Sequence, residues 1–192
     1  VFDSGMSRTH PHNPFERYAD DVVVHCNSFG EAYELCEAIK RRLAEFKLEV
    51  HPVKTKIVYC KDSNRNKDYD IVKFDFLGYT FRPRQSKNRH GNYFLNFTPG
   101  VSQKASRLMR DEMRKWKFHK RSDKELKELA EYCNRKLVGW INYYGKYNRS
   151  ALYGVFHNLN QTLGKWARRQ YKKLKRNKSR ATLWLCRIAK DN

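Results

Sequence analysis

Residues 15–26, FERYADDVVVHC, constrain the fold of this chain more than any other stretch. Phe15 to Tyr18 lead into the adjacent acids Asp20 and Asp21, and Val22, Val23 and Val24 lead out. A β-branched side chain is stiff about χ1 and favours the pleat of a strand. The segment therefore predicts a strand–turn–strand that carries both carboxylates to one edge of a β-hairpin. Acids at such a tip read in two ways. They make a solvated polar turn, or they offer hard oxygen ligands to Mg²⁺, which keeps coordination positions open for phosphate.

Charge indicates the class of partner. Of 192 residues, 41 are Lys or Arg and 20 are Asp or Glu, a formal net charge of +21. The excess is one-sided: residues 1–99 hold 16 basic and 13 acidic residues, and residues 100–192 hold 25 and 7. Trp and Tyr interleave with the basic residues of the second half, a pattern that points to nucleic acid before membrane. There is no apolar run near 18 residues and no charged-then-apolar leader, so neither a membrane span nor a signal peptide is expected. Cys26, Cys36, Cys60, Cys133 and Cys186 are odd in number and never form C-x-x-C. That argues against a zinc ribbon or a disulfide framework and predicts reduced, mostly buried thiols in a cytoplasmic protein.

Along the chain, Val1, Phe2 and Met6 suggest the end of a helix, stopped at Pro11 and Pro14. With those prolines around them, His10 and His12 read as loop residues rather than metal ligands. Ser28 and Glu31 fit a capping box, and Ala32, Leu35, Cys36, Ile39, Leu43 and Phe46 recur at helical spacing, which predicts a helix over 29–47. Leu48 with Val50, and Ile57 to Tyr59, predict short strands either side of Pro52, giving an α+β layer. Phe74, Phe76, Tyr79 and Phe81 are strand formers, with Gly78 marking a bulge or a close backbone approach. Tyr93, Leu95 and Phe97 return from a tip near 85–92, and Pro99-Gly100 predicts the domain boundary. Beyond it the pattern is helical. Ser102 caps a helix over 103–116 with Leu108, Met109, Met113 and Trp116 inward. Ser122 and Glu125 open a second, with Leu126, Leu129, Ala130 and Cys133 inward. LVGWINYY (137–144) reads as buried on most sides. Residues 151–174 turn Leu152, Val155, Phe156, Leu159, Leu163 and Trp166 inward and end in a basic run. A last helix over 181–189 carries Leu183, Trp184 and Ile188. The aromatics are core first, and the basic residues between them are the candidate RNA or DNA face.

Tyr18-Ala19-Asp20-Asp21 resembles the Y-x-D-D box of reverse transcriptases. FERYADDVVVHC, HPVKTKIVYC, FDFLGYTFRPR and GWINYYGKY occur in that order. Together they resemble group II intron-encoded proteins, the reverse transcriptase–maturases of bacteria and organelles; other reverse transcriptases share the first box but match GWINYYGKY less well. The resemblance implies an α+β fold: a partial reverse-transcriptase palm (antiparallel sheet with helix) over 1–99, then an all-α thumb or maturase bundle over 100–192. It implies an RNA-directed DNA polymerase that also binds intron RNA to assist splicing and mobility. Asp20 and Asp21 are then the catalytic, metal-binding pair, with Asp21 in the lesser role. Tyr18, Ala19 and Lys54 lie near the incoming nucleotide, and Phe76, Leu77, Gly78 and Tyr79 lie in or beside the primer grip. Arg82, Arg84, Lys146, Arg168, Arg169, Lys172 and Lys173 meet nucleic acid, and Trp140, Asn142, Tyr143, Tyr144 and Gly145 form thumb core and RNA-contacting surface. The implied cofactor is Mg²⁺ in a two-metal site. The implied partners are group II intron RNA, an RNA template–DNA primer duplex and an amino-terminal reverse-transcriptase segment or chain, with no membrane. The implied location is the bacterial cytoplasm or an organelle.

The chemistry suits these residue types. Attack of a 3′-hydroxyl on an α-phosphate uses two metal ions, about 3.5–4 Å apart, that clamp the attacking and leaving oxygens; the rest is positioning. Polymerases of this family use another aspartate on a strand well upstream of the box, and no stretch before Tyr18 resembles that strand. Gly5 and Val53 also stand where the family carries a large aromatic and a glutamate. The chain is therefore expected to be late palm plus thumb, short of one carboxylate for polymerisation alone. The alternative is a non-catalytic RNA-binding maturase module.

Overall fold

The computed structural model describes residues 2–191, so Val1 of the expected helix end lies outside the described residues. The elements are α1 (Phe2–Thr9), β1 (Phe15–Tyr18), β2 (Asp21–Val24), α2 (Phe29–Ala44), β3 (Phe74–Phe76), β4 (Tyr79–Lys87), β5 (Tyr93–Val101), α3 (Gln103–Lys115), α4 (Leu126–Tyr144), α5 (Tyr153–Gln170) and α6 (Lys178–Asp191), with short 3₁₀ turns at Phe118–Lys120, Arg149–Leu152 and Lys172–Leu174. They divide into two compact units, Val1–Lys73 and Phe74–Asn192.

In the first unit β1 and β2 pair antiparallel, from Phe15 opposite Val24 to Tyr18 opposite Asp21. The acidic hairpin is thus closed by a two-residue turn, Ala19-Asp20. Helix α2 starts where the capping pattern places it: Ser28 Oγ accepts the Glu31 N–H at 3.2 Å. The Glu31 carboxylate reaches the Asn27 N–H (2.6 Å) and the buried Asn13 amide (2.6 Å), and Asn13 also donates to the His25 carbonyl. One asparagine therefore ties the loop after α1 to the end of β2 and the start of α2. The helix stops at Ala44, short of the expected 47, and Lys47 takes a left-handed φ of 58°. The strands expected around 48–50 and 57–59 do not form. A strand requires a neighbour's N–H and C=O groups along its length; here the Leu48 N–H turns back to the Leu43 carbonyl of α2, and the Tyr59 N–H makes a single bond to the Ile71 carbonyl. The loop between folds on itself instead: the Asp62 carboxylate accepts the N–H groups of Asn64 and Arg65 and the Arg65 guanidinium, a side-chain turn that competes with pairing.

In the second unit β3, β4 and β5 form one antiparallel sheet. Leu77 (φ 50°) and Gly78 (φ 78°) make the two-residue turn between β3 and β4. Gly78 is thus neither a bulge nor inside a strand; two positive φ values are what such a turn requires. Pro99 and Gly100, expected at a boundary, lie within β5 opposite Phe81 and Thr80. The Arg84 guanidinium lies against Gly100, and a Cβ there would sit 2.7 Å from Arg84 Nη2, so any larger residue would displace that side chain. The sheet leads directly into helix: the Ser102 N–H donates to the Gly78 carbonyl, and Ser102 Oγ caps α3 at the Ala105 N–H.

The core of this unit is helical. Ala105, Met109 and Met113 of α3 pack with Trp116, Phe118, Leu129, Cys133, Leu152, Val155, Leu159, Trp166 and Ala167. Leu108 lies off the 105–109–113 row and is exposed. The box that opens α4 is Glu125/Glu128 rather than Ser122/Glu125: Glu128 accepts the Glu125 N–H at 2.8 Å, because a turn closed by Lys124 N–H on the Arg121 carbonyl occupies the earlier residues. LVGWINYY is amphipathic: Leu137, Trp140 and Tyr144 pack on the core while Val138 and Tyr143 are exposed. Helix α5 begins after the 3₁₀ turn, and α6 is longer than expected, with Leu183 outward. Of the five free thiols only Cys133 is buried; Cys186 is exposed. No described helix is long and apolar enough to cross a membrane.

Candidate catalytic turn and nucleic-acid surface

Asp20 lies in the β1–β2 turn, Asp21 begins β2, and both are exposed. Neither carboxylate makes a hydrogen bond or ion pair with another described residue, whereas Asp3, Glu31, Glu37, Glu45, Asp62 and Asp68, half of the twelve acids of the same unit, are engaged. The two carboxylates at the tip are thus open to an external cation. Tyr18 and Ala19 beside them are exposed as well. Lys54 sits exposed in the turn after Pro52, and no described bond joins it to the hairpin.

A brace that sequence reasoning missed holds this turn. Arg17 donates from Nε to Asp3 Oδ1 (2.7 Å), from Nη2 to Asp3 Oδ2 (2.6 Å) and from Nη1 to the Ala19 carbonyl (3.2 Å). Ala19 has φ 52°, a left-handed conformation that costs an L-residue roughly 1–2 kcal/mol, so an external tie at its carbonyl stabilises the turn. The hydrogen bonds from Arg17 hold the Asp3 carboxyl below its ordinary pKa. A depressed carboxylate contributes its stability above the unfolded pKa, about 3.9, and loses it as pH falls through the lower folded value. Amide protection factors over the paired strands of the hairpin, that is, observed exchange corrected for the intrinsic rate at each pH, are expected to hold through neutral pH and to fall only in that acid window. Asp3→Asn should show the lowered protection already at pH 7; equal protection in both proteins would remove the brace.

Among the described residues no group of three or more His, Cys, Asp and Glu side chains could hold a metal. The Asp20–Asp21 pair fits a divalent cation in donor type, exposure and lack of competing partners. It does not amount to a full cage of protein ligands among the described residues.

The second cluster joins two sequence motifs. Tyr79 donates its hydroxyl to the Tyr143 carbonyl, and Tyr143 donates its own to the Leu77 carbonyl at 2.9 Å. The Tyr79 ring lies 5.2 Å from Tyr143, 5.4 Å from Tyr144 and 5.7 Å from Tyr147. The Tyr144 hydroxyl covers Gly78 so closely that a Cβ there would lie 2.8 Å away. Burial pushes the hydroxyl pKa values of Tyr79 and Tyr144 up. The structure therefore brings Leu77, Gly78 and Tyr79 onto the end of α4, with Phe76 just before the turn. FDFLGYTF and GWINYYGKY form one tyrosine latch, for which the sequence carried no signal beyond the motifs themselves.

The candidate basic residues differ in how free they are. Arg82, Lys172 and Lys173 are exposed, and Lys146 lies 5.5 Å from the Tyr147 ring. Arg84 is half-buried, bonds the Thr98 and Thr80 carbonyls, and has its pKa lowered by desolvation, so it serves the sheet. Arg169 donates to the His119 carbonyl, and Arg168 is half-buried with Nε unpartnered. Charge separates more sharply by unit than by the sequence division at 99/100. Residues 1–73 hold 12 basic and 12 acidic residues, and residues 74–192 hold 29 and 8, so the whole excess of +21 lies on the second unit.

Two protein-family models match the chain. Residues 2–81 match the reverse transcriptase (RNA-dependent DNA polymerase) model, and residues 106–184 match the model of the group II intron, maturase-specific domain. No curated protein sequence matches the chain. The first interval includes Asp20, Asp21 and the Leu77–Gly78 turn; the second includes Tyr143, Tyr144, Lys172 and Lys173.

Proposed function

Since the chain belongs to the group II intron reverse transcriptase/maturase family, we propose that its first unit supplies metal-binding carboxylates to an RNA-directed DNA polymerase site and its second unit holds RNA. The observation that carries this reading is the segregation of charge: a neutral unit with an unpaired acid pair at a turn, and a unit that holds all +21. Asp20 and Asp21 would hold Mg²⁺, which when bound supplies charge neutralisation at the α-phosphate and lowers the pKa of the attacking hydroxyl. The acid pair itself leaves no cation of its own chain to be displaced first. Two-metal chemistry takes more carboxylate oxygens than this pair offers, and we assign the others to a polymerase segment outside these residues. Tyr18, Ala19 and Lys54 border the nucleotide, and the tyrosine latch fixes the Leu77–Gly78 backbone as the primer grip. The basic unit holds intron RNA in splicing and the template–primer hybrid in synthesis, reading A-form shape and backbone rather than base edges. The matched intervals leave residues 82–105 between them, so the division between polymerase and maturase segments falls within the second compact unit and not at a boundary between units. The protein acts where such introns are spliced, in a bacterial cytoplasm or an organelle.

Salt dependence tests the RNA-holding half directly. A surface that neutralises 6–10 phosphates loses roughly 10³–10⁵ in affinity between 50 and 200 mM salt. Anisotropy of a labelled group II intron RNA fragment titrated with the chain should show a loss in that range. A nearly flat response would mean that the charge is incidental.

A further inference from the structure

A concavity at the corner where α5 ends and α6 packs takes in Lys172 and Lys173 of the candidate basic residues and adds a wall not described above. Its volume is about 910 Å³, toward the upper end of ordinary ligand sites, which run to about 1,000 Å³. Tyr171, Lys172 and Lys173 line one wall, and Arg180, Trp184 and Arg187 of α6 line the other. The α6 residues recur at helical spacing, so the helix presents a guanidinium, an indole and a second guanidinium in one row. The lining contains no acid, and none of its four cations is paired with a carboxylate among the described residues.

The aromatic part is braced from beneath. Trp166 is wholly buried, and its indole N–H donates to the Arg121 carbonyl at 2.9 Å. Its ring meets Tyr171 edge-on at 5.9 Å, and Tyr171 meets Trp184 at 4.9 Å. The Tyr171 N–H donates to the Ala167 carbonyl. Tyr171 is 36% exposed, and Leu183 beside Trp184 is 60% exposed. This is a fixed aromatic floor with long cationic side chains around it. A polyanion duplex contacts such a surface by its phosphates and has no use for the rings, because its bases are already stacked. An unpaired base has a free π-face that stacks on aromatic side chains, while flanking cations take its phosphates.

We propose that this corner is a binding site for single-stranded RNA, with an unpaired base stacked at Trp184 and Tyr171 and the adjoining phosphates on Lys172, Lys173, Arg180 and Arg187. The site rests on the RNA-binding reading of the second unit and deepens it, from a charged surface to a pocket for a nucleotide outside a helix.

The test compares two ligands of equal charge: an eight-nucleotide oligoadenylate and an abasic ribose-phosphate oligomer of the same length, each titrated with the full chain. Trp184→Ala should weaken oligoadenylate binding about tenfold, as expected when one stacking partner is removed, and change abasic binding less than about twofold. Trp184→Phe should retain most of the wild-type affinity. Arg180→Gln with Arg187→Gln should weaken both ligands and flatten the salt dependence, by roughly 0.7 in log–log slope for each phosphate no longer neutralised. A measurement on the wild type alone guards against a misfolded variant: 2-aminopurine placed in the oligoadenylate should be quenched on binding. No quenching, or equal losses for the two ligands in a folded Trp184→Ala, overturns the pocket. Displacement of oligoadenylate by octaglutamate at the same concentrations as by oligoadenylate itself also overturns it, in favour of an acidic protein partner. If folded Trp184→Ala binds oligoadenylate like the wild type and intron RNA keeps its steep salt dependence, the pocket falls and the proposed function stands; a wild-type chain that binds no RNA ends both.

Discussion

Trp166→Ala is expected to destabilise the second unit by about 3–5 kcal/mol, the range for emptying a buried large aromatic site. Trp166 has no exposed surface, and it sits among Val155, Leu159, Ala167 and the other buried residues of the helical core. Two further losses accompany the cavity. The Arg121 carbonyl loses the indole N–H it accepts and keeps only the 3.3 Å bond from the Lys124 N–H. Tyr171 loses the ring against which its edge packs. Against a total domain stability of about 5–15 kcal/mol, this single change removes a large fraction. Trp166→Phe partly separates the contributions, because it keeps a six-membered ring in the site and removes the pyrrole edge with its donor; its cost should fall clearly below the alanine cost. Urea unfolding followed by far-ultraviolet circular dichroism measures both. Leu183→Ala is the internal contrast, since that side chain is mostly exposed and surface changes usually stay within about 0.5 kcal/mol. If Trp166→Ala proves as mild as Leu183→Ala, the placement of the core around α5 is wrong.

What the sequence revealed, and what it hid, divides along the range of the interaction. The acidic hairpin was legible because strand propensity, the valine run and turn polarity agree within ten residues, and Tyr18 pairs with Asp21 as that pattern demands. The caps at Ser28 and Ser102 were legible because they join residues three apart. Leu108 was misread as core because apolar identity was taken for burial, although it lies off the 105–109–113 row that packs. The short strands around 48–59 failed because alternation speaks only for one side of a ladder and says nothing of a partner. Nothing local could reveal the Arg17–Asp3 brace, which spans 14 residues, or the tyrosine latch, which spans 64 to 66. Both depend on backbone carbonyls, at Ala19, Tyr143 and Leu77, whose positions exist only once the chain has folded. The same holds for Arg84 and Arg169: as letters they resemble Arg82, yet the fold commits them to carbonyls of their own unit.

Asp20→Asn is expected to reduce Mg²⁺-dependent DNA synthesis by roughly 10²–10⁴-fold in a polymerase-competent form of the protein, which corresponds to losing several kcal/mol of metal-based stabilisation. The substitution keeps shape and one oxygen while removing the charge, so it isolates electrostatics from packing. It should be well tolerated structurally, because Asp20 is exposed in a turn and has no partner among the described residues to strand. Asp21→Asn should cost less, in keeping with the supporting role that the resemblance gives it. Intron RNA binding should move by less than about twofold in either variant, because the unit that carries Asp20 is neutral and the excess of +21 lies elsewhere. Mn²⁺ binding followed by electron paramagnetic resonance supplies a readout independent of synthesis: bound Mn²⁺ should drop in both variants on the 192-residue chain. Primer extension by that same chain without any other polymerase segment should be marginal, since two carboxylates are too few for two metal ions. Robust incorporation by it, or synthesis undiminished in Asp20→Asn, would separate the turn from the chemistry and leave the basic unit as the functional part of the molecule.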